Sequence, residues 1–237
     1  MPHFVIPGPI GLDSYRSSRA THDGATASAR PAGLQVKDWA THLHATVGPL
    51  NIANLPATLP ALTRLTPVGE KRPLSVGEIE ICRKVFQAAV DYDKVWIHCH
   101  EFLPFDLQDD DTAMTPNGEI YFNYKNFKED FSKSTAGDQW WFVHEMTHVW
   151  QHQLGYWVMM RGAIRIGLSY KYELKKGKTL GDFNMEAQGN LIADYFVLKH
   201  LGKPNAMANG NHQNDLALFE EVLSDFLKDP SDHANLP

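Results

Sequence analysis

The chain has 237 residues, with 22 lysines and arginines against 28 aspartates and glutamates and a formal net charge of −6. This length suits one domain of catalytic size, with or without an appended arm, and a hydrophobic content of 43% is enough for a buried core. The acidic balance argues against a protein that binds nucleic acid through bulk charge. Two cysteines exclude a disulfide scaffold and a cysteine-rich zinc module, and the sequence leaves open whether they pair.

The N-terminal residues lack the basic and apolar regions of a secretory signal. No apolar run approaches the roughly 18 residues that a membrane-spanning helix needs. We therefore expect synthesis in the cytoplasm without a signal peptide, and no membrane span.

The composition changes at about residue 62. Residues 1–62 are rich in small residues and proline and poor in large aliphatic residues, so we predict an arm or linker with little core of its own, which is a candidate docking segment. Residues 63–237 are predicted to form one folded domain, because regular apolar patterns begin there.

The first predicted elements of this domain are a helix, a strand and a hairpin. Ser75 and Glu78 form a capping box in front of apolar residues with helical spacing, which predicts a helix that runs to about Tyr92. Residues 94–100 alternate between apolar and polar and predict a strand. The turn at residues 116–118 lies between two β-prone stretches and predicts a hairpin.

The second half of the domain is predicted to be mainly helical. Four segments have apolar residues at helical spacing: residues 136–154, 157–168, 184–200 and 216–227. Thr135 and Asn184 are expected to cap the first and third of these helices, and Gly155 closes the first. Residues 170–174 alternate and are predicted to be extended. Because the helices follow and flank a small sheet without regular alternation, the predicted fold class is α+β.

Residues 144–148 read His-Glu-Met-Thr-His, which is an H-E-x-x-H motif within the helix predicted over 136–154. His144 and His148 lie one turn apart on the same helix face, so both imidazoles can reach one metal ion. Glu145 lies about 100° round the helix, where its carboxylate can accept a proton from zinc-bound water. The opposite side of the helix is apolar, which favours a buried helix with a metal-binding front over a solvated polar face.

A catalytic zinc site usually has three protein ligands, so a third ligand must come from elsewhere in the chain. His152 lies about 12 Å of helix beyond His144 and is too far away to share its metal. The residues alone leave several candidates open: Glu186, Asp182, Glu173, Asp194, His200, His98 and His100. A downstream helix packed against the first favours Glu186 as the ligand, with Asp194 or Asn190 as the hydrogen-bond partner of a ligand histidine.

Four stretches of the sequence together resemble the zinc metallopeptidase effector domains of type VI secretion, which occur at the C-terminus of valine-glycine-repeat spike proteins and in related polymorphic toxins. The stretches read LPFDLQDDDTAMTPNGEIYF, WWFVHEMTHVWQHQLG, YKYEL and FNMEAQGNLIADYF, and the resemblance covers about residues 62–201. It implies a zincin-like fold with a small mixed sheet, an active-site helix and flanking helices. It also implies His144, His148 and Glu186 as zinc ligands and Glu145 as the catalytic acid and base.

The resemblance further implies contact-dependent delivery into a rival bacterial cell, toxicity in the periplasm of that cell, and neutralisation by an immunity protein. No spike domain is recognisable in the sequence. We therefore expect the chain to travel as separate cargo on a spike or carrier protein, to be cut from a larger protein, or to be an excised piece of one.

The predicted reaction is hydrolysis of a peptide bond in a protein or peptide substrate, with one Zn²⁺ ion and Glu145 as the general base. Tyr170, Tyr172 and His200 are candidates for stabilising the oxyanion, and the strand at residues 119–124 is a candidate edge for aligning an extended substrate. Two other functions stay open. One is a zinc hydrolase of cell-wall peptide crosslinks, and the other is a catalytically silent, zinc-stabilised binding or adaptor domain.

Overall fold

The computed structural model describes residues 65–103, 112–158 and 168–237. Within these ranges the chain forms one small mixed sheet and five α-helices, which agrees with the predicted α+β class. The predicted arm over residues 1–62 and most of the predicted helix over 157–168 lie outside the described residues. Within the described ranges, no helix combines the length and the apolar character needed to cross a membrane.

The sheet consists of four short strands in the order β1-β2-β4-β3. Their bounds are Lys71–Pro73 for β1, Trp96–His98 for β2, Ala113–Met114 for β3 and Ile120–Phe122 for β4. The two outer strands run antiparallel to their neighbours, whereas β2 and β4 are parallel. The predicted strand over 94–100 is therefore confirmed in a shorter form. The predicted hairpin is confirmed as β3 and β4, with Gly118 in its turn at a φ of 82°.

The edge of the sheet differs from the prediction. β4 pairs with β2 on one side and with β3 on the other, so the segment at residues 119–124 lies inside the sheet. The prediction that this segment forms the edge was wrong, because its hairpin partner β3 occupies the outer position. Any extended peptide that adds to this side of the sheet must pair with β3.

One face of the sheet packs into the hydrophobic core. The register pairs Ile97 with Ile120 and Ala113 with Phe122, and all four side chains are buried. The Phe122 ring meets the ring of Trp141 edge to face, with centroids 5.2 Å apart. Through this contact the sheet lies against the long central helix of the domain.

The first helix, α1 (Val76–Phe86), begins as predicted but ends earlier. The Ser75 hydroxyl accepts a hydrogen bond from the Glu78 N–H, and the Glu78 carboxylate accepts one in return, which completes the capping box. Gln87 then adopts a φ of 50°, and its side-chain amide donates to the Leu227 carbonyl at 2.7 Å. A helix cannot continue through such a backbone conformation. The prediction that the helix reaches Tyr92 was wrong, because the helix ends at this positive φ of Gln87.

The central helix, α2 (Ala136–Gln153), has the predicted bounds within one residue. The Thr135 hydroxyl accepts from the Asp138 N–H at its start, and Gly155 follows its end with a φ of 86°. Its twelve residues from Trp140 to Gln151 are all buried. The predicted apolar side is therefore in the core, and neighbouring elements cover the histidine side as well.

The next helix, α3 (Met185–Phe196), packs against α2. The side-chain carbonyl of Asn184 accepts hydrogen bonds from two backbone N–H groups of its first turn, which confirms the predicted cap. The helix continues as a π-helical turn over Val197–Leu201. The stretch at residues 170–174 does not join the sheet, although its burial alternates as the sequence pattern indicates, with Tyr172 and Leu174 buried.

The predicted helix over 216–227 is divided into α4 (Leu216–Val222) and α5 (Ser224–Lys228). At Leu223 the backbone has φ −90° and ψ 3°, which interrupts the helical geometry. The ring of Phe226 meets the ring of Trp150 edge to face at 5.2 Å, so these helices close the core behind α2. Both cysteines, Cys82 and Cys99, are buried free thiols.

Candidate metal centre

Three side chains from α2 and α3 converge in the interior of the domain. His144 Nε2 lies 3.2 Å from His148 Nε2, and Glu186 Oε2 lies 3.4 Å from the first nitrogen and 3.3 Å from the second. All three residues are buried. The three donor atoms therefore form a nearly equilateral triangle.

The size of this triangle matches a tetrahedral zinc site. Ligand atoms at about 2.0–2.1 Å from a tetrahedral ion are about 3.3–3.4 Å from one another. Two imidazoles and one carboxylate are also ligand types that zinc accepts in catalytic sites. Within the described ranges, these three residues are the group of histidine, cysteine and acidic side chains with the spacing to hold a metal ion. The arrangement thus fits a metal ion in both donor chemistry and geometry.

The local structure explains how the donors meet. His144 and His148 are one turn apart on α2, and Glu186 occupies the first turn of α3, which the Asn184 cap starts. Close approach of the two helices depends on Gly189. A Cβ atom at that position would lie 2.6 Å from His144 Cε1 and 2.7 Å from His144 Nδ1. Sequence reasoning missed Gly189, although a glycine inside a strongly helical segment signals close packing.

Glu145 directly follows His144 on α2 and is 5% exposed. Its Oε2 accepts a hydrogen bond from the Thr115 hydroxyl at 2.7 Å. Thr115 directly follows β3, so the hairpin and α2 together orient this carboxylate. Sequence reasoning also missed Thr115, because no local pattern links it to a residue 30 positions away.

The ring of His148 is oriented by an amide. His148 Nδ1 lies 2.9 Å from Gln151 Oε1, and Gln151 is in turn hydrogen-bonded to Gln188 of α3. His144 differs, because its Nδ1 is buried with no hydrogen-bond partner in the part of the chain that the structure describes. Neither glutamine was among the residues predicted for the site.

Asp194 does not contact a ligand histidine, contrary to its predicted role. Its two oxygens accept four hydrogen bonds: from the Trp140 indole at 2.6 Å, from the Tyr172 hydroxyl at 2.5 Å, and from the backbone N–H groups of residues 208 and 209. Burial raises the pKa of Asp194, and these hydrogen bonds act in the opposite direction. The Trp140 ring lies 5.6 Å from the His144 ring, so Asp194 supports the site through an intervening side chain.

Among the residues predicted as oxyanion donors, Tyr172 already uses its hydroxyl proton in a hydrogen bond within the protein. It donates its hydroxyl proton to Asp194 in the interior, and burial together with that carboxylate raises its pKa well above the usual value. Tyr170 is half-buried, and its ring is stacked near that of His144 with centroids 6.1 Å apart. Asn190 donates its amide to the Tyr170 carbonyl at 2.9 Å. Tyr170 therefore lies next to the site, and Asn190 acts on the backbone of that residue.

His200 and the other ligand candidates lie elsewhere. His200 is 14 residues beyond Glu186 along α3 and its π-helical turn, which is about 21 Å of helix. Its ring packs against Tyr195 and Phe196 instead. The remaining candidates have other partners: His98 contacts Glu119 and His100, Asp182 caps the turn that begins at Thr179, and Glu173 pairs with Lys175.

Fold and site together define an α+β domain in which two packed helices present a buried His-His-Glu group suited to bind a metal ion, with a further carboxylate beside it. The solved structure of the effector domain of VgrG2b from Pseudomonas aeruginosa is similar to this domain. The TM-score is 0.52 at 37% sequence identity, and the match covers 67% of this chain and 87% of that chain. The chain belongs to the family of this effector domain.

The sequence comparison gives the same relationship. Over 136 residues, which are 54% of this chain, the sequence is 41% identical to the type VI secretion system spike protein VgrG2b of Pseudomonas aeruginosa. That alignment covers 13% of the length of the spike protein. No protein-family model matches the chain.

Proposed function

We propose that this protein is a zinc-dependent metallopeptidase that acts as an antibacterial effector of type VI secretion. The observation that carries the proposal is the triangle of His144, His148 and Glu186 donor atoms, 3.2–3.4 Å apart, with the buried Glu145 next to His144 on the same helix. A purely structural zinc site has no use for an additional carboxylate that can act as a base. A zincin-like fold, with α2 as the active-site helix, is part of this proposal.

Each residue of the proposed site has a distinct chemical role. His144, His148 and Glu186 would hold the zinc ion. When bound, zinc lowers the pKa of a coordinated water towards about 7 and polarises the substrate carbonyl. Glu145 accepts a proton from the attacking water and returns it to the leaving amine. The Thr115 hydroxyl donates to one oxygen of Glu145, and the other oxygen would accept the proton.

Delivery and partners are proposed from the relatives. The relative with 41% identity is a spike protein of a type VI secretion system, and the similar solved structure is an effector domain. We propose that this chain travels with a spike or carrier protein, acts in the target-cell periplasm and is neutralised by an immunity protein. Residues 63–237 would form the catalytic domain, and residues 1–62 would serve as the docking arm.

Two other functions are compatible with the same zinc site. A hydrolase of cell-wall peptide crosslinks would use the same zinc and the same Glu145, so only the substrate differs. A catalytically silent binding or adaptor domain would need neither Glu145 nor an open coordination position. The hydrogen bond that orients Glu145 favours an active enzyme over the silent domain.

Metal binding is the first test. The purified chain is expected to bind one zinc ion, and His144→Ala is expected to weaken zinc binding by more than about 100-fold, because it removes a direct ligand. His152→Ala is the matched control, since His152 lies on the same helix but is exposed and directed towards Gly118 of the hairpin. Competition with a chromophoric chelator measures both affinities. Equal zinc affinity in the two variants would remove the metal centre from the proposal.

The substrate is tested directly. The zinc-loaded chain is incubated with periplasmic proteins and, separately, with purified peptidoglycan, and the products are identified by mass spectrometry. New protein termini are expected in the first incubation. Release of crosslinked peptides in the second incubation alone would assign the cell-wall reaction instead, and no product in either would favour the silent binding domain.

A further inference from the structure

We propose that Gln151 and Gln188 form a buried amide relay that sets the tautomer of His148, so that the Nε2 lone pair of this histidine faces the candidate metal centre. The two glutamines are positioning residues, because they act on the site through His148. The link to zinc affinity rests on the proposed function. The hydrogen-bond pattern of the relay does not, because it consists only of groups of the chain itself.

Gln188 is the glutamine farther from His148, and its partners determine the direction of the hydrogen bonds along the relay. The Gln188 side-chain nitrogen lies 2.8 Å from the Leu180 carbonyl oxygen and 2.9 Å from the Asn235 carbonyl oxygen. A backbone carbonyl can only accept a hydrogen bond, so the NH₂ group of Gln188 must face these two oxygens. The side-chain oxygen of Gln188 must then face Gln151.

The same reasoning passes along the relay to the histidine. Gln151 directs its nitrogen to Gln188 Oε1 at 2.9 Å and to the Met185 carbonyl at 3.2 Å, and both of these atoms are acceptors. The side-chain oxygen of Gln151 therefore faces His148 Nδ1 at 2.9 Å. That nitrogen must carry a proton, and in the neutral imidazole the lone pair is then on Nε2.

The outcome of this relay is the tautomer that a metal ligand needs. His148 Nε2 lies 3.2 Å from His144 Nε2 and 3.3 Å from Glu186 Oε2, which are the other two candidate donors. Both glutamines have no exposed surface, so no solvent can satisfy a reversed amide. Reversing either amide would place acceptors against acceptors in the interior, which strongly disfavours the alternative direction. The backbone carbonyls of Leu180, Asn235 and Met185 thus determine, through the two glutamine side chains, which nitrogen of His148 carries the proton.

The relay is tested with Gln151→Leu, which removes the acceptor for His148 Nδ1. Zinc affinity is expected to fall by about 10–100-fold, the usual loss when the partner of a ligand histidine is removed. Gln153→Leu is the matched control, because Gln153 lies on the same helix and bonds only to the backbone of Asp91. Its zinc affinity is expected to equal that of the unaltered chain.

The tautomer itself provides a second measurement. Nitrogen NMR of the histidine-labelled, metal-free chain is expected to show the Nδ1–H form for His148 and its loss in Gln151→Leu. If Gln151→Leu does not fold, Gln151→Met removes the same acceptor with a side chain closer in shape to glutamine. An unaltered His148 tautomer in folded Gln151→Leu or Gln151→Met would overturn the relay. Absence of zinc binding by the unaltered chain would instead overturn the proposed function, and the tautomer measurement would still stand.

Discussion

Glu145→Gln is expected to abolish hydrolysis while leaving zinc binding intact. Glutamine has nearly the same shape, and its side-chain oxygen can still accept the hydrogen bond from Thr115 that is 2.7 Å long in the protein. It cannot accept a proton from water, so the general-base step is lost. General acid–base catalysis contributes about 10²–10⁴-fold, and we expect a loss of at least this size in the cleavage rate.

The measurement compares cleavage rate and zinc content in the same preparation. Glu80→Gln is a suitable control, because Glu80 is exposed on α1 and outside the site. Thr115→Val is expected to give a smaller loss than Glu145→Gln, since it keeps the carboxylate and removes only the hydrogen bond that orients it. Full activity of zinc-loaded Glu145→Gln would contradict the proposed mechanism.

Gly189→Ala is expected to remove zinc binding by a different route. The added Cβ would lie 2.6–3.0 Å from three ring atoms of His144, which is closer than side chains pack. His144 cannot easily move away, because its ring also packs between Trp140 and Tyr170. We expect a fall of about 1–3 kcal/mol in the free energy of unfolding, as for other overpacked cores, together with loss of the His144 ligand position.

Gly137→Ala is the matched control for this prediction. Gly137 lies in α2, and a Cβ atom there would meet only the Thr135 hydroxyl oxygen at 3.8 Å, an ordinary contact. Alanine favours a helix over glycine by about 1 kcal/mol, so this variant should be as stable as the unaltered chain or more stable. Urea unfolding and chelator competition measure the two effects. Tight zinc binding by Gly189→Ala would contradict the prediction, because α3 could then move away from His144 without disturbing the metal ligands.

These two variants separate the two requirements of the site. Glu145→Gln retains the metal and loses the base, whereas Gly189→Ala loses the metal and retains the base. In a zinc hydrolase, Glu145→Gln keeps zinc and loses cleavage, whereas Gly189→Ala loses both. In a silent zinc-stabilised domain, Gly189→Ala would lower the stability and Glu145→Gln would have no effect on function.

Much of the helical structure could be predicted from the sequence because its causes are local. The Ser75–Glu78 and Thr135–Asp138 capping boxes act over three residues, and both are present in the structure. The spacing of His144 and His148 places both imidazoles on one helix face whatever surrounds the helix. The positions of helix starts and of this histidine pair therefore follow from the order of residues alone.

Other features depend on contacts between residues far apart in the chain. α1 ends at Phe86, where Gln87 adopts a positive φ and its side chain bonds to a carbonyl 140 residues away, and no glycine or proline signals this end in the sequence. β4 lies inside the sheet because its hairpin partner occupies the edge, an arrangement that strand patterns do not specify.

The residues of the candidate site also fall into a group fixed by local sequence and a group fixed by tertiary packing. The sequence by itself determined the histidine pair and Glu145, since helical periodicity fixes their relative directions. The residues alone left seven candidate third ligands open, with Glu186 favoured and also implied by the family resemblance. Only the packing of α3 on α2 decides that the Glu186 side chain reaches the histidines. The roles of Thr115, Gln151 and Gly189 were likewise decided by packing. Each acts on a neighbour through a hydrogen bond or a close contact in the folded interior, and such contacts have no sequence period.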